Sequence, residues 1–174
     1  MGQHRLTTPG QNADTMVAAT TGTSTELRAS VSFSRTAAAG TLYASLIPRA
    51  VNATNDYRLR VAVAANGKPV LILVRTVGGV ETTLGSTTIT PVTVAANTWY
   101  SVSVRAVRTG ATTTLTAKLW VRGTAEPGAA QLTATDATAA LQAPGYARLN
   151  SYESGASTAA ITTSWDDLRF TSVP

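Results

Sequence analysis

Cysteine is absent from the 174-residue chain, and His4 is its one histidine. Without cysteine, neither disulfide bonds nor thiolate metal ligands can hold the fold together, so stability must come from packing. Histidine is the most frequent acid–base catalyst, and Ser–His–Asp and Cys–His sites need one that is rigidly placed. His4 lies in an N-terminal stretch where we expect nothing to hold it rigid. The sequence therefore argues against an enzyme of these classes.

Charged residues are scarce as well, at 13% of the chain against roughly 25% in an average globular protein. Basic residues still outnumber acidic ones, and the net charge is +5. No segment concentrates Lys and Arg as a phosphate-binding patch does, so we expect no specific nucleic-acid partner. The longest apolar runs, such as 70–74, are far shorter than the ~18 residues of a membrane span. We therefore expect no membrane insertion.

Carboxylates that could work as a catalytic pair are also missing. Glycoside hydrolysis needs two of them about 5–10 Å apart. The four glutamates are scattered over predicted turns and strand ends: Glu26, Glu81, Glu126 and Glu153. Asp166 and Asp167 are adjacent in a predicted strand, so we expect them to point to opposite faces and not to form a pair. We expect no enzymatic activity.

Threonine and alanine are abundant and together make up about a third of the chain, a composition that favours strands. From Glu26 onward apolar and polar residues alternate, as in a half-buried strand. Similar runs follow at 41–50, 57–64, 69–77, 80–84, 99–107, 114–122, 146–152 and 161–171. Asn66-Gly67 and Gly78-Gly79 predict tight hairpins. The pattern predicts an all-β fold, a two-sheet antiparallel jelly-roll sandwich.

Residues 1–24 differ from the rest, since they are rich in Gly, Thr, Asn and Gln and show little periodicity. We interpret them as an extended N-terminal arm with one short strand around 16–19, attached to a sandwich domain over 25–174. Packing against the sandwich or against a neighbouring subunit would order such an arm.

Several short segments form a pattern that resembles a known group of modules. They are Asn55-Asp56-Tyr57-Arg58-Leu59-Arg60, Gly78-Gly79-Val80-Glu81-Thr82, Lys118-Leu119-Trp120, Gly123-Thr124-Ala125-Glu126-Pro127 and Trp165-Asp166-Asp167-Leu168-Arg169-Phe170. Over roughly 26–171 the chain resembles the laminin-G-like, concanavalin A-like modules of extracellular proteins of high-GC bacteria and of minor tail proteins of their phages. The resemblance implies a jelly-roll binding or structural module and says little about the ligand.

Outward-facing aromatic residues suggest a sugar-binding surface, because an aromatic ring stacks on a sugar while amides and guanidinium groups bond its hydroxyls. The candidates are Trp120, Tyr146, Arg148, Asn150 and Tyr152. The alternative is that loop 123–144 buries Trp120 and that the tyrosines cover sheet edges. Outward arginines at 58, 60, 75 and 105 could likewise form a basic stripe or a plain solvated face.

A structural calcium site is a further hypothesis, because concanavalin-like folds often hold Ca²⁺ with loop carboxylates. Its candidate ligands are Asn55, Asp56 and one of the two carboxylates Asp166 and Asp167, with Asp167 preferred. The alternative is that Asn55 and Asp56 only form a turn. We expect no other cofactor.

The functional expectation is a non-enzymatic phage virion protein, of the capsid-decoration or minor-tail type. Met1 without a signal pattern favours a free-standing virion protein. Its partners would be other virion proteins, or further copies of itself bound through the N-terminal arm, and a cell-surface glycan. The alternative is a secreted, extracellular carbohydrate-binding module.

Overall fold

The computed structural model describes residues 1–173, and for residues 18–21 it describes the backbone alone. In that range the chain forms β1 (Gly2–Leu6), β2 (Asn12–Gly22), β3 (Thr25–Phe33), β4 (Thr41–Ala50), β5 (Asp56–Ala64), β6 (Pro69–Val77), β7 (Val80–Thr88), β8 (Tyr100–Thr109), β9 (Thr112–Val121), β10 (Leu132–Asp136), β11 (Gly145–Glu153) and β12 (Ile161–Ser172). A 3₁₀ turn at Ala139–Leu141 precedes β11.

The strands form two six-stranded antiparallel sheets. Sheet 1 has the order β1-β12-β3-β8-β9-β10, and sheet 2 has the order β2-β11-β4-β5-β6-β7. Short hairpins join β4 to β7 in sequence, whereas β3–β4 and β10–β11 cross between the sheets. The predicted all-β, two-sheet antiparallel sandwich is confirmed.

The core lies between the sheets and follows from the alternation in each strand. Leu27 and Val31 of β3 belong to this core together with Leu59 and Val61 of β5, and each is at most 1% exposed. Each such side chain contributes about 1.5–3 kcal/mol when fully buried. The polar residues between them must therefore face outward, which leaves polar side chains on the two outer faces of the sandwich.

The N-terminal segment supplies an edge strand to each sheet. β1 pairs with β12, from Gly2 opposite Trp165 to Leu6 opposite Ile161. β2 pairs with β11, and Leu6 is only 1% exposed. The arm is extended and packs on the sandwich as edge strands. Its separation from a domain over 25–174 stays a prediction.

Tight turns occur where the sequence predicted them. The β5–β6 turn has Gly67 at φ 69°, and the β6–β7 turn has Gly78 and Gly79 at φ 58° and 81°. Positive φ favours glycine because it has no Cβ. Both predicted hairpins are confirmed.

A polar cluster closes the gap between the sheets beside β10. The Tyr57 hydroxyl donates to Asp136 at 2.6 Å, and Arg75 Nη1 donates to the same carboxylate at 2.6 Å. Burial, followed by the bond to Asp136, raises the pKa of Tyr57 to about 12. Arg75 lies opposite Tyr57 in the register and so shares its inward face. The expectation that Arg75 points outward is wrong.

Candidate functional site

A groove of about 550 Å³ lies on the outer face of sheet 2. Tyr43 and Tyr152, which are opposite each other on β4 and β11, lie at one end. The turns at 51–55 and 78–79 lie at the other end and are bonded together, since Gly79 N donates to the Thr54 carbonyl at 2.9 Å. The groove therefore has an aromatic end and an end made of backbone turns.

The floor of the groove is organised by Asp56, which is 0% exposed. Its carboxylate accepts from Arg58 Nε at 2.9 Å and Nη2 at 2.6 Å, from Arg148 Nη2 at 2.9 Å and from Thr76 Oγ1 at 3.1 Å. Burial opposes the charge of Arg58, but its bonds to Asp56 outweigh this and raise its pKa. A buried carboxylate thus fixes two guanidinium groups beneath the groove.

Glu81 of β7 lines one side of the groove. It accepts from Arg58 Nη1 at 3.0 Å and from Arg60 Nη2 at 2.6 Å. With Asp14 and Asp56, it balances the three guanidinium groups of the lining, which are those of Arg58, Arg60 and Arg148. The groove therefore presents donors and acceptors without a net formal charge.

Aromatic rings and an amide complete the lining. The rings of Tyr43 and Tyr152 are 5.6 Å apart at an angle of 32°, and the Arg60 guanidinium lies 5.4 Å from the Tyr43 centroid. Asn150 Nδ2 donates to the Asn12 and Asp14 side chains at 2.5 and 3.1 Å. The edge strand β2 thus contributes two polar groups to the groove.

The glycan-site residues predicted from sequence are divided between the two faces. Arg148, Asn150 and Tyr152 line the groove. Tyr146 is on the same strand and face but outside the groove lining, and its ring is 5.9 Å from the Arg148 guanidinium. Trp120 is on β9 of sheet 1 and lies on the opposite face of the sandwich. The structure does not unite these five residues in one site.

Sequence reasoning missed Tyr43, Glu81 and Asp14 as members of this site. Tyr43 occupies an outward position of its strand, and the alternation of residues along that strand could have shown this. Its place beside Tyr152 depends on the β4–β11 register, which joins segments about a hundred residues apart. Asp14 was assigned to the arm, whereas pairing with β11 brings it to the groove.

The proposed calcium ligands are not brought together. Asn55 Oδ1 accepts from Gly78 N at 2.7 Å, and Asp56 is enclosed by its guanidinium partners in sheet 2. Asp167 belongs to β12 of sheet 1. Within residues 1–173, no three His, Cys, Asp or Glu side chains are grouped as a metal site requires. The structure favours the simpler interpretation, in which Asn55 supports a turn.

A bulge in β12 changes the expected directions of Asp166 and Asp167. The register with β3 shifts between Asp166 and Arg169, and Asp167 has a positive φ of 49°. Both carboxylates reach Arg122, Asp166 through Nη1 at 3.3 Å and Asp167 through Nη2 at 2.8 Å. The expectation that they point to opposite faces is wrong, because strict alternation fails at a bulge.

His4 is firmly held, contrary to expectation. Its Nδ1 lies 2.9 Å from Ser151 Oγ, and its Nε2 lies 2.8 Å from Thr15 Oγ1. Burial lowers the pKa of His4, although Asp14 offsets part of the effect. Ser151 is 0% exposed, so this Ser–His contact is out of reach of a substrate. Through Thr15, His4 joins the edge strands β1 and β2, and through Ser151 it joins β1 to β11.

The outer face of sheet 1 carries loop 122–131, which is anchored by Glu126. Its carboxylate accepts from Arg28 Nη1 at 2.7 Å and Lys118 Nζ at 2.9 Å. Hydrogen bonds from Arg28, followed by those from Lys118, lower the pKa of Glu126 from 4.5 to about 2. The loop leaves Trp120 partly exposed beside a smaller hollow.

Acid should release this loop. The pKa of Glu126 is depressed in the folded state, so its stabilising contribution is complete above about pH 4.5 and is lost as the pH falls towards about 2. We expect the ¹⁵N relaxation of loop 122–131 to show greater mobility at the acid end of this range. Glu126→Gln should show the same mobility at neutral pH. A loop that is equally rigid in the variant would contradict the anchoring role.

The fold and the groove define a class, namely a jelly-roll sandwich with a polar, aromatic-edged groove on one sheet. The structure is similar to carbohydrate-binding module CBM66 from Bacillus subtilis, with a TM-score of 0.63 and 14% identity over 97% of this chain and 86% of that one. It is also similar to a Bacillus licheniformis beta-glucanase, with a TM-score of 0.56 and 12% identity over 98% and 78% of the two chains.

A third similar structure is the CBM2 module of the evolved Dit of Lactobacillus casei BL23 phage J-1. Its TM-score is 0.50, with 14% identity over 84% of this chain and 60% of that one. No family model and no curated protein matches the sequence. At these identities the similarities establish the fold alone. In residues 1–173, no helix is long and apolar enough to cross a membrane.

Proposed function

We propose that this protein is a non-catalytic carbohydrate-binding domain whose ligand lies in the groove on sheet 2. The observation that carries the proposal is the lining itself, in which paired guanidinium and carboxylate groups lie beside two tyrosine rings. Sugar hydroxyls both donate and accept hydrogen bonds, so they suit a surface that offers both functions side by side. The fold similarity to a carbohydrate-binding module supports the same interpretation.

Preorganisation favours binding at this site. Arg58 and Arg148 are fixed by Asp56, and Arg60 is fixed by Glu81. Side chains that are already ordered lose little conformational entropy when a ligand arrives. The volume of about 550 Å³ lies within the range of roughly 300–1,000 Å³ that is typical of small-molecule sites. We therefore expect the groove to hold a short oligosaccharide.

The proposal excludes catalysis because of how the groove carboxylates are used. Glycoside hydrolysis needs one carboxyl group as a general acid and a second as base or nucleophile. Asp56 and Glu81 are each bonded to two arginines, and Asp14 accepts from Asn150. Asp56 and Glu81 thus hold guanidinium donors in place for binding, and Asp14 is left without a second free carboxylate to act with.

Replacing the exposed tyrosine of the groove tests the proposal. Tyr152→Ala should weaken retardation of the protein in native gels containing soluble neutral polysaccharides by roughly tenfold in apparent affinity, because a stacking surface is lost. Tyr146→Ala is the matched control, since it removes the same side chain from the same strand and face outside the groove lining.

The two variants separate the outcomes clearly. The proposal requires loss in Tyr152→Ala and retention in Tyr146→Ala, with unchanged circular dichroism for both. Equal retardation of the two variants would mean that any sugar binds outside the groove on sheet 2. Failure of the wild-type chain to bind any polysaccharide would overturn the proposal itself.

A location on a virion is the second candidate, as a decoration or minor tail protein that uses the same groove on a host glycan. Its support is the similarity to the phage J-1 Dit module. The alternative location is extracellular, as part of a secreted bacterial protein. Immunogold labelling of phage particles with an antibody against the chain distinguishes the two.

A further inference from the structure

We propose a second sugar-binding site on the opposite face of the sandwich, in a trough beside Trp120 that takes one neutral pyranose ring. It goes beyond the proposed function because it shares no residue with the groove on sheet 2. The trough has a volume of about 160 Å³ and is lined by residues of β3, β8, β9 and β12. This equals roughly five water molecules at ~30 Å³ each, room for one ring and not for a chain.

The trough follows from one row of residues across sheet 1. Trp120 lies opposite Ser101, Ser101 lies opposite Ser30, and Ser30 lies opposite Asp166, where the β12 bulge begins. Three strand spacings of ~4.8 Å separate the two ends of the row by about 14 Å. Two small serines between an indole and the bulge leave a depression with a wall at each end.

The bulge supplies the second wall. Asp167 adopts φ 49°, a region that non-glycine residues rarely occupy and that often marks functional positions. The hydroxyl of Ser30, which is 1% exposed, donates to Asp167 Oδ2 at 2.8 Å, and Arg122 Nη2 contacts the same oxygen at 2.8 Å. One carboxylate oxygen is therefore fixed from below and from the side.

The free groups of the trough match a hydroxyl-rich ligand. Among residues 1–173, Asp167 Oδ1 accepts no hydrogen bond and the Trp120 indole N–H donates none, while the Asp167 side chain is 52% exposed. A free acceptor and a free donor on facing walls suit hydroxyl groups, which supply both partners. The face of the indole adds an apolar surface for the C–H face of a pyranose.

The end of the trough is closed by Arg28, whose charge is neutralised by two glutamates. Arg28 lines it, but its guanidinium already donates to Glu26 at 2.6 Å and to Glu126 at 2.7 and 3.2 Å. It is therefore a wall and not an anion receptor, and Asp167 disfavours an acidic sugar. This combination selects a neutral ring. With sites on opposite faces, one chain can bridge two glycan strands.

The test uses the full chain labelled with ¹⁵N, and glucose, galactose, mannose and N-acetylglucosamine as probes. The chain has three tryptophans, so the Trp120 indole resonance is readily assigned with Trp120→Phe. We expect one of these sugars to shift this resonance in the wild type and equally in Tyr152→Ala, whose groove is impaired. Trp120→Ala should lower the affinity at this site roughly tenfold.

Ser101→Gln provides a second variant that keeps Trp120 and fills the floor of the trough, so it should also abolish the shift. Thr116→Gln is its control, because it lies outward on β9 outside the trough lining. Shifts confined to groove amides in the wild type would overturn the second site and leave the proposed function standing. Shifts of the Trp120 indole alone would support the trough and count against the groove. If no resonance moves with any of the four sugars, the trough site fails, and the groove is judged by its binding to polysaccharides.

Discussion

Deletion of residues 1–24 is expected to abolish the folded monomer. The deletion removes β1 and β2, one edge strand from each sheet, and with them Leu6, which is 1% exposed in the core. Loss of Leu6 alone, as in Leu6→Ala, should cost about 2–5 kcal/mol. A whole domain is stabilised by only about 5–15 kcal/mol, so the combined loss should leave little or no native state.

The deletion also exposes what the edge strands cover. The backbone of β11 would lose its β2 partner, and β12 would lose β1. Unpaired edges of this kind are templates for intermolecular pairing. The hydrogen bonds of His4 to Ser151 of β11 and to Thr15 of β2, which join the two sheets, would also disappear. We therefore expect aggregation in addition to loss of stability.

Sedimentation velocity and thermal unfolding of the truncated and full chains check this prediction. Leu6→Ala and Arg5→Ala form a matched pair on β1, with the buried residue destabilising and the exposed one nearly neutral. A truncated chain that stays a folded monomer at the original Tm would contradict the prediction. Residues 1–24 would then be the separable arm that the sequence suggested, free to bind other subunits.

The second large effect is expected from Asp56→Ala, which should destabilise the protein by about 3–5 kcal/mol. Asp56 is fully buried, and its partners Arg58 and Arg148 have side chains only 14% and 15% exposed. Removing one member of a buried ionic cluster leaves the remaining charges without compensation, and this costs more than the pair contributed. The variant should also lose sugar binding, because the two guanidinium groups lose their fixed positions.

Thermal unfolding followed by circular dichroism measures the effect. At about 2–4 °C per kcal/mol for a domain of this size, the Tm should fall on the order of 10 °C. Asp14→Ala is the control: its carboxylate lines the same groove but is 41% exposed, so it should cost no more than ~1 kcal/mol. Equal Tm changes in the two variants would show that Asp56 does not organise the groove.

Much of the fold could be predicted from the sequence, because the alternation of apolar and polar residues along a strand indicates which side chains it buries. The inward positions of Leu59 and Val61, and the glycine turns at 67 and 78–79, follow from local rules. The roles of β1 and β2 could not be predicted. Their pairing partners lie more than a hundred residues away, and composition alone suggested an irregular arm.

The site was only partly predictable, for a related reason. Arg148, Asn150 and Tyr152 follow from alternation along one strand, but the strands beside them are set by register. This is why Trp120 was grouped with residues on the opposite face. The β12 bulge is a second limit, because a single inserted residue brings Asp166 and Asp167, which alternation predicts on opposite faces, to the same guanidinium group of Arg122.

Sugar binding in the groove on sheet 2 is tested by an amide chemical-shift map of the ¹⁵N-labelled full chain, titrated with an oligosaccharide of the polysaccharide that retards it most. We expect the largest shifts, apart from any at the trough, to fall on Arg58, Arg60, Asn150 and Tyr152, with Tyr146 little changed. Shifts that avoid the groove on sheet 2, or an unchanged spectrum at saturating sugar, would contradict this expectation.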